Sequence, residues 1–136
     1  MQSEHPERRV LLIAERDASV RNIQRHFLER AGFAVDFADD GEAALERARE
    51  TRPALVVTEI LIPKIDGLAL CRLLKADPLT QEIPVIVFSI LSAAARAGEA
   101  GASAFLRKPF VENVFLDAVQ ALVAEQSTPA REEQWA

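Results

Sequence analysis

The sequence predicts an α/β fold: a doubly wound parallel sheet of five strands with five helices. Five short apolar runs of strand length alternate with longer segments that have helical period. Neighbouring parallel strands need crossover connections, and helices covering both faces of the sheet provide them. The five predicted strands cover residues 10–14, 34–38, 54–58, 84–89 and 103–107.

Capping residues and apolar stripes support four of the helices. One apolar face over residues 18–31 is followed by Gly32, which can end that helix. Asp40 and Asp66 stand where N-caps of the second and third helices are expected. Residues 111–125 carry a continuous apolar stripe at helical spacing, which predicts the last helix.

The fourth helix has the weakest pattern. Residues 92–102 are short and alanine-rich, Gly98 interrupts them, and Gly101 is the expected C-terminal cap. The apolar face of this segment is thin, so we expect a short helix.

Length and charge favour one acidic domain. The chain has 136 residues, of which 49% are hydrophobic, enough for a single core. With 16 basic and 21 acidic residues, the net charge of −5 argues against a nucleic-acid surface. We expect a domain over residues 9–125, with polar tails at 1–8 and at 126–136, where Trp135 is the only bulky group.

Cysteine usage and hydropathy predict an intracellular protein without a metal centre. Cys71 is the single cysteine, so it has no internal disulfide partner, and no CxxC or histidine-rich spacing indicates a zinc site. No apolar run approaches a membrane span, and the polar N-terminus lacks the apolar segment of a secretion signal. These features predict a cytoplasmic location.

Polar residues follow four of the five predicted strands. Glu15 and Arg16 follow the first strand, Glu59 and Ser89 end the third and fourth, and Lys108 follows the fifth. In open parallel sheets, ligands bind where the carboxyl ends of the strands meet. A strand order of 2-1-3-4-5 would bring all five side chains together, and would give the buried acid Glu59 its partners.

These motifs resemble the receiver domain of response regulators, the phosphate-accepting module of two-component signalling, over about residues 9–124. In that family the third strand ends in an aspartate that is followed by Pro-x-x-Asp-Gly, and here Glu59 is followed by Pro63, Asp66 and Gly67. The resemblance implies a flavodoxin-like fold and makes Glu59 the residue at the phosphoacceptor position.

The resemblance also assigns the other strand-end positions. The acidic pair that holds magnesium in the family falls on Glu15 and Arg16, with Asp17 as the next acid. Other matching positions are Ser89 after the fourth strand, Lys108-Pro109 after the fifth, and Phe105 at the switch aromatic. We expect the Lys108-Pro109 peptide to be cis, as in the family, and Phe105 to be a core residue more than a switch.

The sequence departs from the family pattern at two positions that carry the chemistry, Arg16 and Glu59. Glu15 and Glu59 are offset by Arg16 and Lys108 if Asp17 points outward, so the pocket would be neutral without magnesium. Arginine offers a fork of donors that suits a carboxylate, so we expect Arg16 to pair with Glu59. The simpler alternatives are a plain strand-end salt bridge for Glu59 and a solvent-exposed Arg16.

Together these features predict an atypical receiver that acts as a protein-interaction module without phosphorylation. The longer Glu59 side chain would partly imitate a phosphorylated aspartate, and the family's signalling surface is the fourth helix, fifth strand and fifth helix. We expect protein partners, no nucleic acid or membrane, a monomer or weak homodimer, no bound magnesium and no enzyme activity.

The alternative is a conventional, magnesium-dependent receiver that is phosphorylated on Glu59 or a nearby residue. A metal-dependent phosphotransfer enzyme is disfavoured, because it would need a nucleophilic aspartate and clustered acids.

Overall fold

The computed structural model of the protein describes residues 8–126. Strands and helices alternate along the chain. The strands are β1 (Val10–Ala14), β2 (Ala34–Ala38), β3 (Leu55–Thr58), β4 (Val85–Ser89) and β5 (Ala104–Arg107). The helices are α1 (Ala18–Arg30), α2 (Gly41–Thr51), α3 (Gly67–Ala76), α4 (Ala94–Glu99) and α5 (Glu112–Gln126).

The five strands form one parallel sheet in the order β2-β1-β3-β4-β5. This confirms the predicted α/β fold and its strand order. The direction in which successive strands are added to the sheet reverses between β1 and β3. The carboxyl ends of these two central strands therefore lie side by side at the point where ligands bind in open parallel sheets. Polar residues that follow β1 and β3 are therefore neighbours.

Successive strand residues point to opposite faces of the sheet and therefore contribute to two hydrophobic cores. Leu12 and Val56 pack in the core covered by α2, α3 and α4, whereas Leu11 and Leu55 pack in the core covered by α1 and α5. Both faces of the central strands are buried, which explains why these strands are apolar throughout instead of alternating with polar residues.

The predicted caps hold the ends of the helices. The Asp40 carboxylate accepts the Ala43 N–H at 2.8 Å, and Asp66 accepts the Ala69 N–H at 2.9 Å. Gly32 and Gly101 have φ angles of 100° and 99°, which glycine adopts most readily, at the ends of α1 and α4.

The fourth helix is shorter than predicted. It covers Ala94–Glu99 instead of 92–102, and its N-cap residue, Ala93, offers no side-chain acceptor to the first free N–H groups. The predicted tails and Trp135 lie outside the described residues, except for Arg8 and Gln126. Within residues 8–126, no helix combines the length and hydropathy needed to span a membrane.

Candidate functional site at the carboxyl ends of the strands

Four of the predicted site residues meet in one pocket. Glu15 follows β1, Glu59 follows β3, Ser89 ends β4 and Lys108 follows β5. The two carboxylates are 3% and 6% exposed, and Ser89 is fully buried. The strand order thus places two acids, a hydroxyl and an ammonium group in contact, as the sequence predicted.

Lys108 connects the two carboxylates. Its Nζ lies 2.9 Å from Glu59 Oε1 and 3.1 Å from Glu15 Oε1. Burial lowers the pKa of Lys108. The hydrogen bonds and negative charges of Glu59 and Glu15 raise the pKa by more than burial lowers it, so the pKa lies above the ordinary lysine value. The Lys108–Pro109 peptide is cis, as predicted.

Glu59 is surrounded by hydrogen-bond donors. Its Oε2 accepts the backbone N–H groups of Ile60 at 2.6 Å and Leu61 at 3.1 Å, and also the hydroxyl of Ser89. Burial raises the pKa of Glu59, but the bonds from Ser89, Lys108 and Leu61 outweigh burial, so the pKa lies below the ordinary glutamate value. An acid at the end of a buried strand is tolerated because four donors hold it in its charged form.

Gly67 lets the loop after β3 approach the pocket. Its N–H donates to the carbonyl of Ile60 at 2.9 Å, and a Cβ at this position would lie 2.2 Å from the backbone oxygen of Glu59. Only glycine fits this approach. The Asp66-Gly67 pair therefore begins α3 and keeps the backbone that carries Glu59 in place.

Asp17 caps α1 and does not enter the pocket. Its Oδ1 accepts the N–H of Ser19 at 2.8 Å and that of Val20 at 3.3 Å. The Asp17 N–H in turn donates to Glu15 Oε2 at 3.1 Å. The β1–α1 loop is thereby fixed on both sides of Arg16.

The predicted contact between Arg16 and Glu59 is wrong. Arg16 is exposed and makes no hydrogen bond or ion pair with any residue in the range 8–126. Lys108 already neutralises part of the charge of both glutamates, and burying a guanidinium as well would add a desolvation cost. The pocket therefore holds two carboxylates and one ammonium group, instead of the neutral set of four charges expected from the sequence.

Arg21 of α1 also supports the pocket, and no motif in the sequence predicts this role. Its Nε donates to the carbonyl of Glu15, and its Nη2 donates to the carbonyl of Ala38 at 3.1 Å and to Asp39 Oδ1 at 2.8 Å. Because two of these acceptors are backbone carbonyls, no residue type marks them in the sequence. Arg21 fixes the backbone that positions the Glu15 side chain.

Phe105 is half-buried and packs against the core on the side of α2, α3 and α4.

Magnesium fits the residues of the strand-end pocket poorly, because Lys108 lies against both buried carboxylates and Asp17 is occupied as a helix cap. In the part of the chain that the structure describes, no three His, Cys, Asp or Glu side chains group closely enough to hold a metal ion.

Comparison with known proteins identifies the class. The family model for the response regulator receiver domain matches residues 11–120. The chain therefore belongs to the receiver-domain family of response regulators, which are signalling modules of two-component systems. Its five-stranded parallel fold is that of this family.

Individual relatives agree with this assignment. The chain is 33% identical to the response regulator MprA of Mycolicibacterium vanbaalenii over 122 residues, covering 88% of this chain and 52% of that protein. It thus spans about half the length of the curated relatives that it matches.

Solved structures with the same fold include a response regulator from Chloroflexus aurantiacus, which has a TM-score of 0.83 and 31% identity. That alignment covers 87% of this chain and 99% of the other. The receiver domain of a histidine kinase from Syntrophus aciditrophicus has a TM-score of 0.80 and 34% identity, with coverage of 86% and 91%.

Proposed function

We propose that this receiver domain acts as a phosphorylation-independent protein-interaction module in a cytoplasmic phosphorelay pathway. The observation that carries the proposal is the state of Glu59: its carboxylate is buried and already bound by Lys108, Ser89 and two backbone N–H groups. A nucleophile must present a free oxygen to the phosphoryl donor, and Glu59 Oε2 accepts three hydrogen bonds.

Glu59 also supplies a permanent negative charge to Ser89 and Lys108. In a receiver with aspartate at this position, the side chain is shorter by one methylene and reaches less far toward those two residues. The glutamate is therefore a built-in, partial substitute for a phosphorylated aspartate, although it carries one negative charge where a phosphoryl group carries about two.

Magnesium independence is part of the same proposal. A divalent ion would have to displace the Lys108 ammonium from Glu15 or Glu59, because that group lies within 3.1 Å of both carboxylates. The positive charge of Lys108 repels the ion, and the family's second carboxylate position is occupied by the exposed Arg16.

Intact mass after incubation with phosphoramidate and magnesium tests the proposal directly. We expect the wild-type protein to gain no phosphoryl group. The control is the double variant Arg16→Asp with Glu59→Asp, which offers three acids and Lys108 and should become phosphorylated. Phosphorylation of the wild-type protein on Glu59 or a neighbouring residue would instead establish a conventional receiver.

The signalling surface is proposed to be α4, β5 and α5, with a protein as partner and the chain as a monomer or weak homodimer. Two apolar side chains at the start of α5 are open to solvent, Val111 at 50% and Val114 at 49%. Arg107 of β5 donates to the Ser92 hydroxyl in the loop before α4 and so connects β5 to the segment that leads into α4. Substituting Val114→Asp should weaken partner capture more than Leu73→Asp, which changes a similarly exposed residue on α3.

A further inference from the structure

A second cavity lies beside the strand-end pocket, between α1 and the loop that joins β5 to α5. Its volume is about 340 Å³, and Lys108 is the only charged residue that lines it. The other lining residues are apolar: Val20, Ile23, Phe88, Ile90, Pro109 and Phe110. We call this cavity the α1 groove.

The α1 groove combines buried and exposed apolar side chains. Phe88 of β4 is 2% exposed, whereas Ile23 on α1 and Ile90 after β4 are 39% and 60% exposed. Phe110 stacks on Phe27 of α1 with ring centroids 5.7 Å apart, which joins the two sides of the groove. An apolar cavity that opens to water favours the binding of an apolar group, because binding removes apolar surface from water.

The size and lining of the groove favour an aromatic ring system. An apolar cavity of about 150 Å³ can hold benzene, so a cavity of about 340 Å³ has room for the larger indole group. Phe88 and Phe110 lie edge to face with ring centroids 6.3 Å apart, and a further aromatic ring can pack against them in the same way. The open rim leaves the indole N–H in contact with water.

The chain itself carries one indole. Trp135 is its only tryptophan, and it belongs to segment 127–136, which lies outside the described residues. Helix α5 begins two residues after Phe110 and has 15 residues, so its C-terminal end is about 22 Å from the groove. Trp135 follows Gln126 by nine residues, which can span about 30 Å when extended. The indole can therefore return to the groove.

Charges on the two segments are complementary. Glu132 and Glu133 stand shortly before Trp135, whereas Arg16 is exposed and has no ion pair with a described residue. Arg16 directly precedes the first turn of α1, and that turn carries Val20 of the groove. An exposed ion pair of this kind adds little affinity, but it favours one orientation of the bound segment.

From the size of the groove, the reach of segment 127–136 and these charges, we propose that Trp135 binds in the α1 groove of its own chain. The segment then covers the exposed side chains of Ile23 and Ile90. A partner that binds to α1 and the loop after β5 must first displace Trp135, so the segment regulates access to this side of the strand-end pocket. The inference does not depend on whether Glu59 is phosphorylated.

Fluorescence of the full chain tests the proposal, because Trp135 is the only tryptophan and the chain has no tyrosine. In the folded protein we expect blue-shifted emission and several-fold weaker quenching by acrylamide than in concentrated urea, where the groove is lost. Equal emission and quenching in the two states would overturn the proposal.

Dilution separates binding within one chain from binding to a second copy. Contact within one chain does not depend on protein concentration, so the emission and quenching of Trp135 should stay constant as the protein is diluted. An increase in quenching on dilution would overturn the proposal and would place Trp135 in the groove of another copy.

Two substitutions of equally exposed residues locate the binding site. Ile23→Asp places a charge at the rim of the groove, and Leu73→Asp places one on α3, where the side chain is 40% exposed compared with 39% for Ile23. Ile23→Asp should raise the quenching of Trp135 several-fold, whereas Leu73→Asp should leave it unchanged. Equal quenching in the two variants would overturn the assignment to the α1 groove.

Methyl NMR tests the same contact without altering the groove. The ring current of an indole shifts the signals of methyl groups that lie against its face. Signals of Val20, Ile23 and Ile90 should therefore differ between wild type and Trp135→Ala, and those of Leu73 should not. Unchanged signals of the three groove residues would overturn the proposal.

A charge exchange tests the part assigned to Arg16. Arg16→Glu should increase the quenching of Trp135, because it places a negative charge where Glu132 and Glu133 approach. Adding Glu132→Arg and Glu133→Arg to the same chain should restore the protection. An unchanged Arg16→Glu variant, or no recovery in the combined variant, would overturn the pairing of Arg16 with the two glutamates.

Discussion

The strand-end pocket and helix α1 beside it bury polar groups in opposite ways. In the pocket, the Glu59 carboxylate is 6% exposed and receives four hydrogen-bond donors. On α1, Gln24 is fully buried, and neither its Oε1 nor its Nε2 bonds to any other described residue. The pocket satisfies a charged group, whereas α1 buries a neutral group that has no partner among residues 8–126.

This difference shows which region is organised by polar contacts. Removing one member of the pocket leaves the others buried and incompletely paired, which costs more than the lost contact itself. Replacing Gln24 by an apolar residue removes an unsatisfied amide and should help the fold. Polar-to-apolar substitutions should therefore lower the free energy of unfolding in the pocket and raise it on α1.

Loss of the Lys108 ammonium should have the largest effect. Lys108→Met keeps most of the stem but leaves Glu15 and Glu59 buried side by side without a cation, so we expect about 3–5 kcal/mol of destabilisation. Urea unfolding at pH 7 measures it. Lys64→Met, a change at a 60% exposed side chain, is the control and should cost at most about 1 kcal/mol. Equal effects of the two substitutions would contradict a pocket held together by Lys108.

Loss of the Glu59 charge should have the next largest effect, and it should depend on pH. Glu59→Gln keeps the size of the side chain but weakens the contacts to Lys108 and Ser89, so we expect about 1–3 kcal/mol of destabilisation at pH 7. The folded-state pKa of Glu59 is lowered, so the stabilisation is present above the unfolded-state pKa of about 4.3 and is lost as the pH falls through the folded-state value.

Urea unfolding of wild type and Glu59→Gln from pH 7 to pH 3 measures this dependence. The two stabilities should converge at the acid end, whereas the exposed change Glu46→Gln should differ little from wild type throughout. A difference that stays constant across the range would mean that the charge of Glu59 does not contribute.

On α1, the predicted effect has the opposite sign. Gln24→Met has a similar volume and removes the unpartnered amide, so it should stabilise the protein by about 1 kcal/mol. Gln120→Met, on the exposed face of α5, is the matched control and should change stability little. Destabilisation by Gln24→Met would show that the amide has a partner in solution.

The sequence predicted the backbone elements that form the pocket better than it predicted the side-chain contacts inside it. Strand ends, the Asp66 cap and the cis peptide after Lys108 follow from local patterns and from the family motif, so the positions of Glu15 and Glu59 could be foreseen. The direction of Arg16 could not, because a loop residue can point either way without changing the pattern. The burial of Gln24 could not be foreseen either, because glutamine side chains are exposed in most proteins.

The smallest expected effect concerns Arg16, which lies between the two regions. Because its side chain is exposed and forms no ion pair with a described residue, Arg16→Met should change stability by no more than about 0.5 kcal/mol. A double-mutant cycle with Glu59→Gln should give a coupling energy near zero, whereas the same cycle between Lys108→Met and Glu59→Gln should give about 1–3 kcal/mol. A coupling of that size for Arg16 would instead place its guanidinium against Glu59 in solution. The pocket would then be neutral, and Arg16 would occupy the place that magnesium takes in receivers with an acidic pair at this position.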